Sequence, residues 1–404
     1  MPTPLLHRTT HRFLQAVDRA VLEHVLTPSA ASLEPIESLT HPERMAALAA
    51  FAAFYERPEH YASATEFFSR LERIRPRELP LRSYRGAGEV IDLSWQSQFE
   101  PMWSPAVAAA RFGQVLARLR AAGDLRACTQ LADSLRALER AERRLGIQAC
   151  YGASAPENST MYARWFRHAG AARPCAVILH GYVGGRLAVE EHLWPVHALF
   201  DSGLDVVLTV LPLHGVRAGS RRRFRLPAFP SGDPRLAIEG FRHLVHDHLS
   251  LFDYLLDGRV SSLGVMGMSL GGYAAALLCT IDARIRFGVF HMPLASIADF
   301  ASRTGRIVGS ELDQRDQVAA LDQVYRPVSP LARPSLLTAG RAIVVAGRAD
   351  AITGVPQGKR LVAHFDAVWS TFAGGHILPL GRGPAFDPIW RMFQQEGIAP
   401  AGGG

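Results

Sequence analysis

Hydrophobic residues follow two different rhythms along the 404-residue chain. Up to about residue 150 they recur at helical spacing. Met45–Tyr55 (MAALAAFAAFY) predicts one helix, and Ala64–Ile74, with Phe67, Phe68, Leu71 and Ile74 in phase, predicts a second. Ala106–Ala122 and Leu125–Leu145 predict two more, the last carrying Leu131, Leu135 and Leu138 on one stripe with charged residues around the rest. Leu79–Pro105, rich in Pro, Ser and Trp, reads as irregular or short-strand chain. From about residue 150 short β-branched runs alternate with helices. Cys175–Leu179, Asp205–Leu211, Leu263–Met266, Phe287–Phe290, Ala342–Ala346 and Val368–Phe372 predict strands; Glu190–Phe200, Leu236–Leu256, Leu270–Thr280 and Pro388–Gln395 predict helices. Apolar strands that alternate with helices imply a mostly parallel sheet covered on both faces. The organisation expected is a mainly helical region over 1–150, an α/β domain over 151–397 and a disordered tail over 398–404.

Composition narrows the function classes. With 48% hydrophobic and 20% charged residues the chain is ordinary globular protein, and no apolar run is long enough to cross a bilayer. The start (MPTPLLHRTTHRFLQAVDRA) lacks a long apolar stretch and a small-residue cleavage site, so no secretory signal is expected; it reads as one amphipathic helix buried against the protein. The net charge of +7 comes almost wholly from arginine, with Lys359 the lone lysine, and acids interrupt the basic residues throughout. That argues against a nucleic-acid surface. Cys128, Cys150, Cys175 and Cys279 stand far apart with no C-x-x-C pair, which disfavours zinc or redox use and fits a reducing, cytoplasmic setting.

The most specific signal is Val265-Met266-Gly267-Met268-Ser269-Leu270-Gly271-Gly272-Tyr273, a G-x-S-x-G placed between a predicted strand and a predicted helix. A serine projected from so sharp a turn needs Gly267 and Gly271 on its flanks, because side chains there would meet the neighbouring strand or helix. The segment resembles the nucleophile elbow of the α/β-hydrolase superfamily, and the resemblance extends over roughly residues 150–397. It implies Ser269 as nucleophile, with an acid and then a histidine downstream. The turn Gly347-Arg348-Ala349-Asp350 after a strand makes Asp350 the expected acid, with Asp299 the alternative. Ala373-Gly374-Gly375-His376 after the last strand makes His376 the expected base, with His364 the fallback among sixteen histidines. His180-Gly181-Tyr182 resembles the family's oxyanion loop, so the amides of Tyr182 and Leu270 are the expected oxyanion donors.

Three further features bear on specificity. Arg217–Arg225 (RAGSRRRFR) follows a strand and would either hold an anionic substrate group or form a solvated loop. His243, His246, His248 and Asp247 crowd one helix without a metal-binding pattern. Pro293–Pro334 separates two core strands, with helical runs Ile297–Val308 and Gln314–Val324, and is the expected place for a partial cap. The function expected is hydrolysis of a small-molecule acyl ester or thioester through an acyl-enzyme, with neither metal nor organic cofactor. An oligopeptidase-like peptidase, an acyltransferase and a non-catalytic binding protein on the same fold are the alternatives. The role of the N-terminal helices, bland support or control of access, and the oligomeric state stay open at this level.

Overall fold

The computed structural model describes residues 4–27, 34–62, 64–68, 73–147, 149–152, 155–219, 226–395 and 397. The predicted tail over 398–404 and the arginines 221, 222, 223 and 225 lie outside them.

Nine strands form one sheet: β1 (Arg77–Tyr84), β2 (Gly88–Gln96), β3 (Thr160–His168), β4 (Arg173–Leu179), β5 (Asp205–Thr209), β6 (Val260–Met268), β7 (Ile285–His291), β8 (Ala342–Gly347) and β9 (Val368–Phe372). Their spatial order is β1-β2-β3-β5-β4-β6-β7-β8-β9. β1, β2, β3 and β5 pair antiparallel; every pairing from β5–β4 onward is parallel. The segment read as irregular or short-strand thus supplies two strands, and the sheet itself runs across position 150. β1 is nearly all exposed, carries Pro80 and slips register between Pro80 and Arg82, which blunts the open edge against further pairing.

Alternation along the strands divides the core. In β4 the side chains of Cys175, Val177 and Leu179 enter one apolar cluster and those of Ala176 and Ile178 the other. The first cluster holds the helix Pro234–Leu256, buried almost along its whole length, together with Phe51, Phe54 and Trp103 from the N-terminal part. The second is closed by Trp194, Phe200, Ile389 and Phe393. The chain runs out from β4 to β5 over one face and returns to β6 over the other. Strand order therefore switches at β4, and the crevice that such a switch opens lies beyond the C-terminal ends of β4 and β6.

Local chemistry accounts for the helix limits. Thr40 and Glu43 form a capping box that starts His41–Tyr55, and Asp124 accepts from Ala127 N at 2.9 Å to start Leu125–Leu145. Gly146, in the left-handed region at φ 63°, ends the latter. The helix predicted over Glu190–Phe200 is two helices, Leu187–Leu193 and Val196–Asp201. Pro195 breaks it: the ring removes a donor and drives Trp194 to extended backbone at φ −95°, ψ 150°. The helix predicted over Ala64–Ile74 is described only as Ala64–Phe68, since residues 69–72 are not among those described. No helix of the described residues is long and apolar enough to cross a membrane.

Candidate active site

Ser269 stands where β6 turns into the helix Leu270–Leu278, with φ 57° and ψ −114°. A non-glycine residue in that region stores about 1–3 kcal/mol of strain, so the surroundings must hold it. They do so by close packing. A Cβ on Gly271 would lie 2.2 Å from Leu179 O and 2.5 Å from His180 O, and one on Gly267 would lie 2.0 Å from Gly271 O. Ser269 N donates to His291 O at 2.9 Å, which ties the turn to the end of β7.

The His180–Tyr182 loop leaves β4 beside this turn: a Cβ on Gly181 would sit 3.6 Å from that of Ser269. His180 fixes the loop. Its Nδ1 donates to Gly181 O at 2.7 Å, and its Nε2 accepts from Leu211 N at 3.0 Å. That imidazole is neutral, because burial pushes it well below its ordinary value and His214 adds to the effect. Tyr182 is anchored through its hydroxyl, which donates to Pro227 O at 3.0 Å, so its ring braces the loop. Leu270 N, at the first position of its helix, has no intrahelical acceptor and points where the helix dipole is positive.

His376 follows β9, and Asp350 follows β8. His376 Nδ1 donates to Asp350 Oδ2 at 3.0 Å. Asp350 also accepts from Thr353 Oγ1 at 2.6 Å and from the amides of Ile352 and Thr353 at 2.9 and 3.0 Å. Burial pushes the Asp350 carboxyl up, but His376 and these donors outweigh it and hold it down at about 2. For His376 the balance runs the other way. Burial opposes the imidazolium, while Asp350 and then Asp18 favour it, and the net shift is upward.

Ser269 and His376 line one cavity of about 430 Å³. No hydrogen bond joins Ser269 Oγ to His376 among the described residues. The cavity walls are largely apolar. Ile297, Phe300 and Ile307 come from the insertion between β7 and β8, and Leu48 and Phe51 from the N-terminal helix His41–Tyr55. The two wall segments are joined by Arg306 pairing with Glu37 at 2.7 Å and by Arg44 donating to Gln317 Oε1 at 2.9 Å. The insertion folds as Ile297–Arg303 and Glu311–Tyr325, so both it and the N-terminal region border the cavity.

The structure thus brings Ser269, His376, Asp350, Tyr182 and Leu270 to one place. It does not bring the alternatives there. Asp299 pairs with Arg360, and His364 Nε2 meets Arg333 O at 2.8 Å. Arg217 is not in a substrate-facing loop: it is fully buried, 2.8 Å from Asp247 Oδ2 and hydrogen-bonded to Val210 O. His243 contacts the same carboxylate at 3.3 Å, and burial holds its imidazole down at about 3 despite Asp247. Among the described residues no cluster has the makings of a metal site. All four cysteines are free thiols, three of them buried. One site residue escaped the sequence reading. Asp18, on the N-terminal helix Pro4–Val21, is fully buried against the loops that carry Asp350 and His376. Only its place on the polar-apolar border of an amphipathic helix hinted at burial.

No family model matches the chain. Two uncharacterized proteins of Mycobacterium tuberculosis, one from strain H37Rv and one from strain CDC 1551, are each 28% identical to it over 250 residues. The match covers 60% of this chain and 59% of theirs, so the chain spans under two thirds of the curated relatives it matches. Among solved structures, an acetyl xylan esterase from Paenibacillus sp. R4 is 13% identical over 86% of this chain and 93% of that one, with a TM-score of 0.49. Est1E from Butyrivibrio proteoclasticus, bound to ferulic acid, is 16% identical over 59% of this chain and 96% of that one, TM-score 0.42. An acylaminoacyl peptidase from Pyrococcus horikoshii is 13% identical over 61% and 41%, TM-score 0.41. The switch of strand order at β4, the strained serine turn that closes β6, and an aspartate and a histidine delivered by the loops after β8 and β9 make this chain an α/β-hydrolase in fold.

Proposed function

We propose that the protein is a serine hydrolase that cleaves an ester or thioester of a small, largely apolar acyl group. The observation that carries this reading is the strained Ser269 facing the same cavity as an imidazole whose far nitrogen is held 3.0 Å from a buried carboxylate. The hydrogen bond to Asp350 fixes the tautomer with the proton on Nδ1, which leaves Nε2 with its lone pair toward the cavity. When an acyl substrate enters, Ser269 Oγ attacks the carbonyl carbon and its proton passes to His376 Nε2. Asp350 stabilises the imidazolium that forms. The carbonyl oxygen becomes an oxyanion beside the amides of Leu270 and Tyr182, donors that contribute roughly 10²- to 10³-fold each in such sites. His376 then gives the proton to the leaving oxygen or sulfur, and an acyl-Ser269 ester remains. Water, deprotonated by His376, attacks that ester; the acid departs and Ser269 regains its proton.

The walls support the substrate class. Hydrocarbon side chains from two regions face the cavity, and about 430 Å³ matches a medium-sized ligand. Fluorophosphonate labelling of the purified protein tests the reading, with Ser269→Ala beside it and p-nitrophenyl esters of rising chain length after it. Labelling that vanishes in the variant supports an activated serine. Folded wild-type protein that neither labels nor turns over any ester refutes it.

A further inference from the structure

Asp18 lies near the start of the chain, yet in space it sits under the loops that carry Asp350 and His376. Its carboxylate gathers three backbone amides: Oδ2 accepts from His376 N at 2.7 Å and from Ala351 N at 3.1 Å, and Oδ1 accepts from Ile377 N at 3.0 Å. One of these residues directly follows Asp350; the other two are His376 and its neighbour. The side chain is fully buried, and Gly375 packs on it so closely that a Cβ there would lie 2.9 Å from Oδ2 and 3.1 Å from Oδ1. Leu14, one turn earlier on the same helix face, is buried too and seats the helix.

We propose that Asp18 is a positioning residue of the proposed hydrolase site: from the N-terminal helix its carboxylate clamps the loops that present Asp350 and His376. A mere seam between a helix and two loops is cheaper to build from apolar side chains, because a buried carboxylate loses its hydration. Three convergent amides compensate that loss. They also hold the negative charge next to an imidazole that must become positive when Ser269 yields its proton. The groups that face His376 are Asp350 from the loop after β8 and Asp18 from the N-terminal helix, both favouring its charge. His291, at the end of β7, also interacts with it and is itself pushed down to about 3, first by burial and then by Arg382 and His376. By this inference, which rests on the hydrolase reading for its kinetic half, the helical N-terminal region is part of the active site and not only its support.

The test uses the full-length protein. Asp18→Asn keeps the shape, removes the charge and turns an NH₂ toward backbone amides. It should lower kcat about 10- to 100-fold, the worth of hydrogen bonds to a charged group, with KM within about threefold. It should also move the His376 titration midpoint to lower pH, read by NMR of ¹³C-labelled histidine and assigned by the signal missing in His376→Gln. Gly375→Ala attacks the same contact from the other side and should show the same pair of effects, less than additive with Asp18→Asn in the double variant. Folded Asp18→Asn with kcat and midpoint both unmoved overturns the inference. If that variant does not fold, an unmoved midpoint and kcat in Gly375→Ala overturns it, and loss of folding in both assigns the contact to stability alone and also overturns it. The NMR midpoint does not depend on Ser269. Wild-type protein that fails to label with fluorophosphonate but shows the lowered midpoint in Asp18→Asn sinks the hydrolase reading and keeps the clamp.

Discussion

Lowering the pH from about 7 to about 5.5 should separate two kinds of histidine in this protein. His214 and His248 are held near 4 and His243 and His291 near 3, each chiefly by burial. All four stay neutral in the folded chain across that range, whereas unfolded imidazoles, titrating near 6.5, take up protons. Their folded values are depressed, so the stability tied to them is present above about pH 6.5 and is lost as the pH falls from there toward the folded values. Between pH 7 and 5.5 the loss is a little over about 1 kcal/mol for each, or about 5 kcal/mol for the four. That is a third or more of the 5–15 kcal/mol by which domains are usually stable. His376 works in the opposite sense: raised in the folded state, it contributes fully below about pH 6.5 and loses that contribution as the pH rises through its folded value. It offsets only part of one of the other four. Urea unfolding followed by far-UV circular dichroism at the two pH values measures the difference. A fall of less than about 1 kcal/mol would refute the reasoning, since it would mean that the buried imidazoles find a proton and a partner inside the fold. The same contrast orders the activity profile: with its pKa raised, His376 should lose function as base from above about pH 6.5 downward, before the fold itself gives way.

Ser269→Ala should abolish ester turnover and fluorophosphonate labelling with an unchanged circular dichroism spectrum; turnover at the wild-type rate sinks the assignment. Asp350→Asn should lower kcat by about 10⁴, as in the triad template, and should remove about 2 kcal/mol of stability. That contribution, from a carboxyl held at about 2, is present above about pH 4 and lost as the pH falls through about 2. If Asp299→Asn is the damaging change instead, the acid is misplaced. Gly271→Ala must push a methyl against the carbonyls of Leu179 and His180, so a destabilisation of about 2 kcal/mol or more is expected in urea titration. Ala301→Phe fills part of the cavity and should cut kcat/KM for long-chain p-nitrophenyl esters at least about tenfold more than for acetate; equal loss across the series would show that acyl chains do not bind along that wall.

The parts of the site that lie in one stretch of chain were legible in the sequence. Gly267, Ser269 and Gly271 declare a sharp turn because their requirement is local: no Cβ fits at either flank. Asp350 and His376 were readable because each follows an apolar strand through a short loop, and parallel strands place their C-terminal loops along one edge of the sheet. The order of the motifs already favoured Asp350 over Asp299 and His376 over His364; the coordinates add that the Asp350 carboxylate meets the His376 ring while Asp299 pairs with Arg360. Which distant residues meet in the interior was not legible. Arg217 reads as the first of a basic loop, yet it lies inside the protein beside Asp247, thirty residues away. The segment that holds β1 and β2 read only as irregular or short-strand chain; β1 carries Pro80 and is a nearly all-exposed edge, which has no alternation to detect.

By itself, then, the sequence determined the alternation of strands and helices, the strained turn at Ser269 and the order of serine, acid and histidine, because these follow from side-chain size and periodicity within a few residues. Only the tertiary structure decided that the N-terminal helices wall the cavity and that Asp18 lies under His376, more than three hundred residues along the chain. Such contacts depend on where two distant segments meet on the sheet; the local pattern of a segment can show that it has a face to bury, but not which partner it meets.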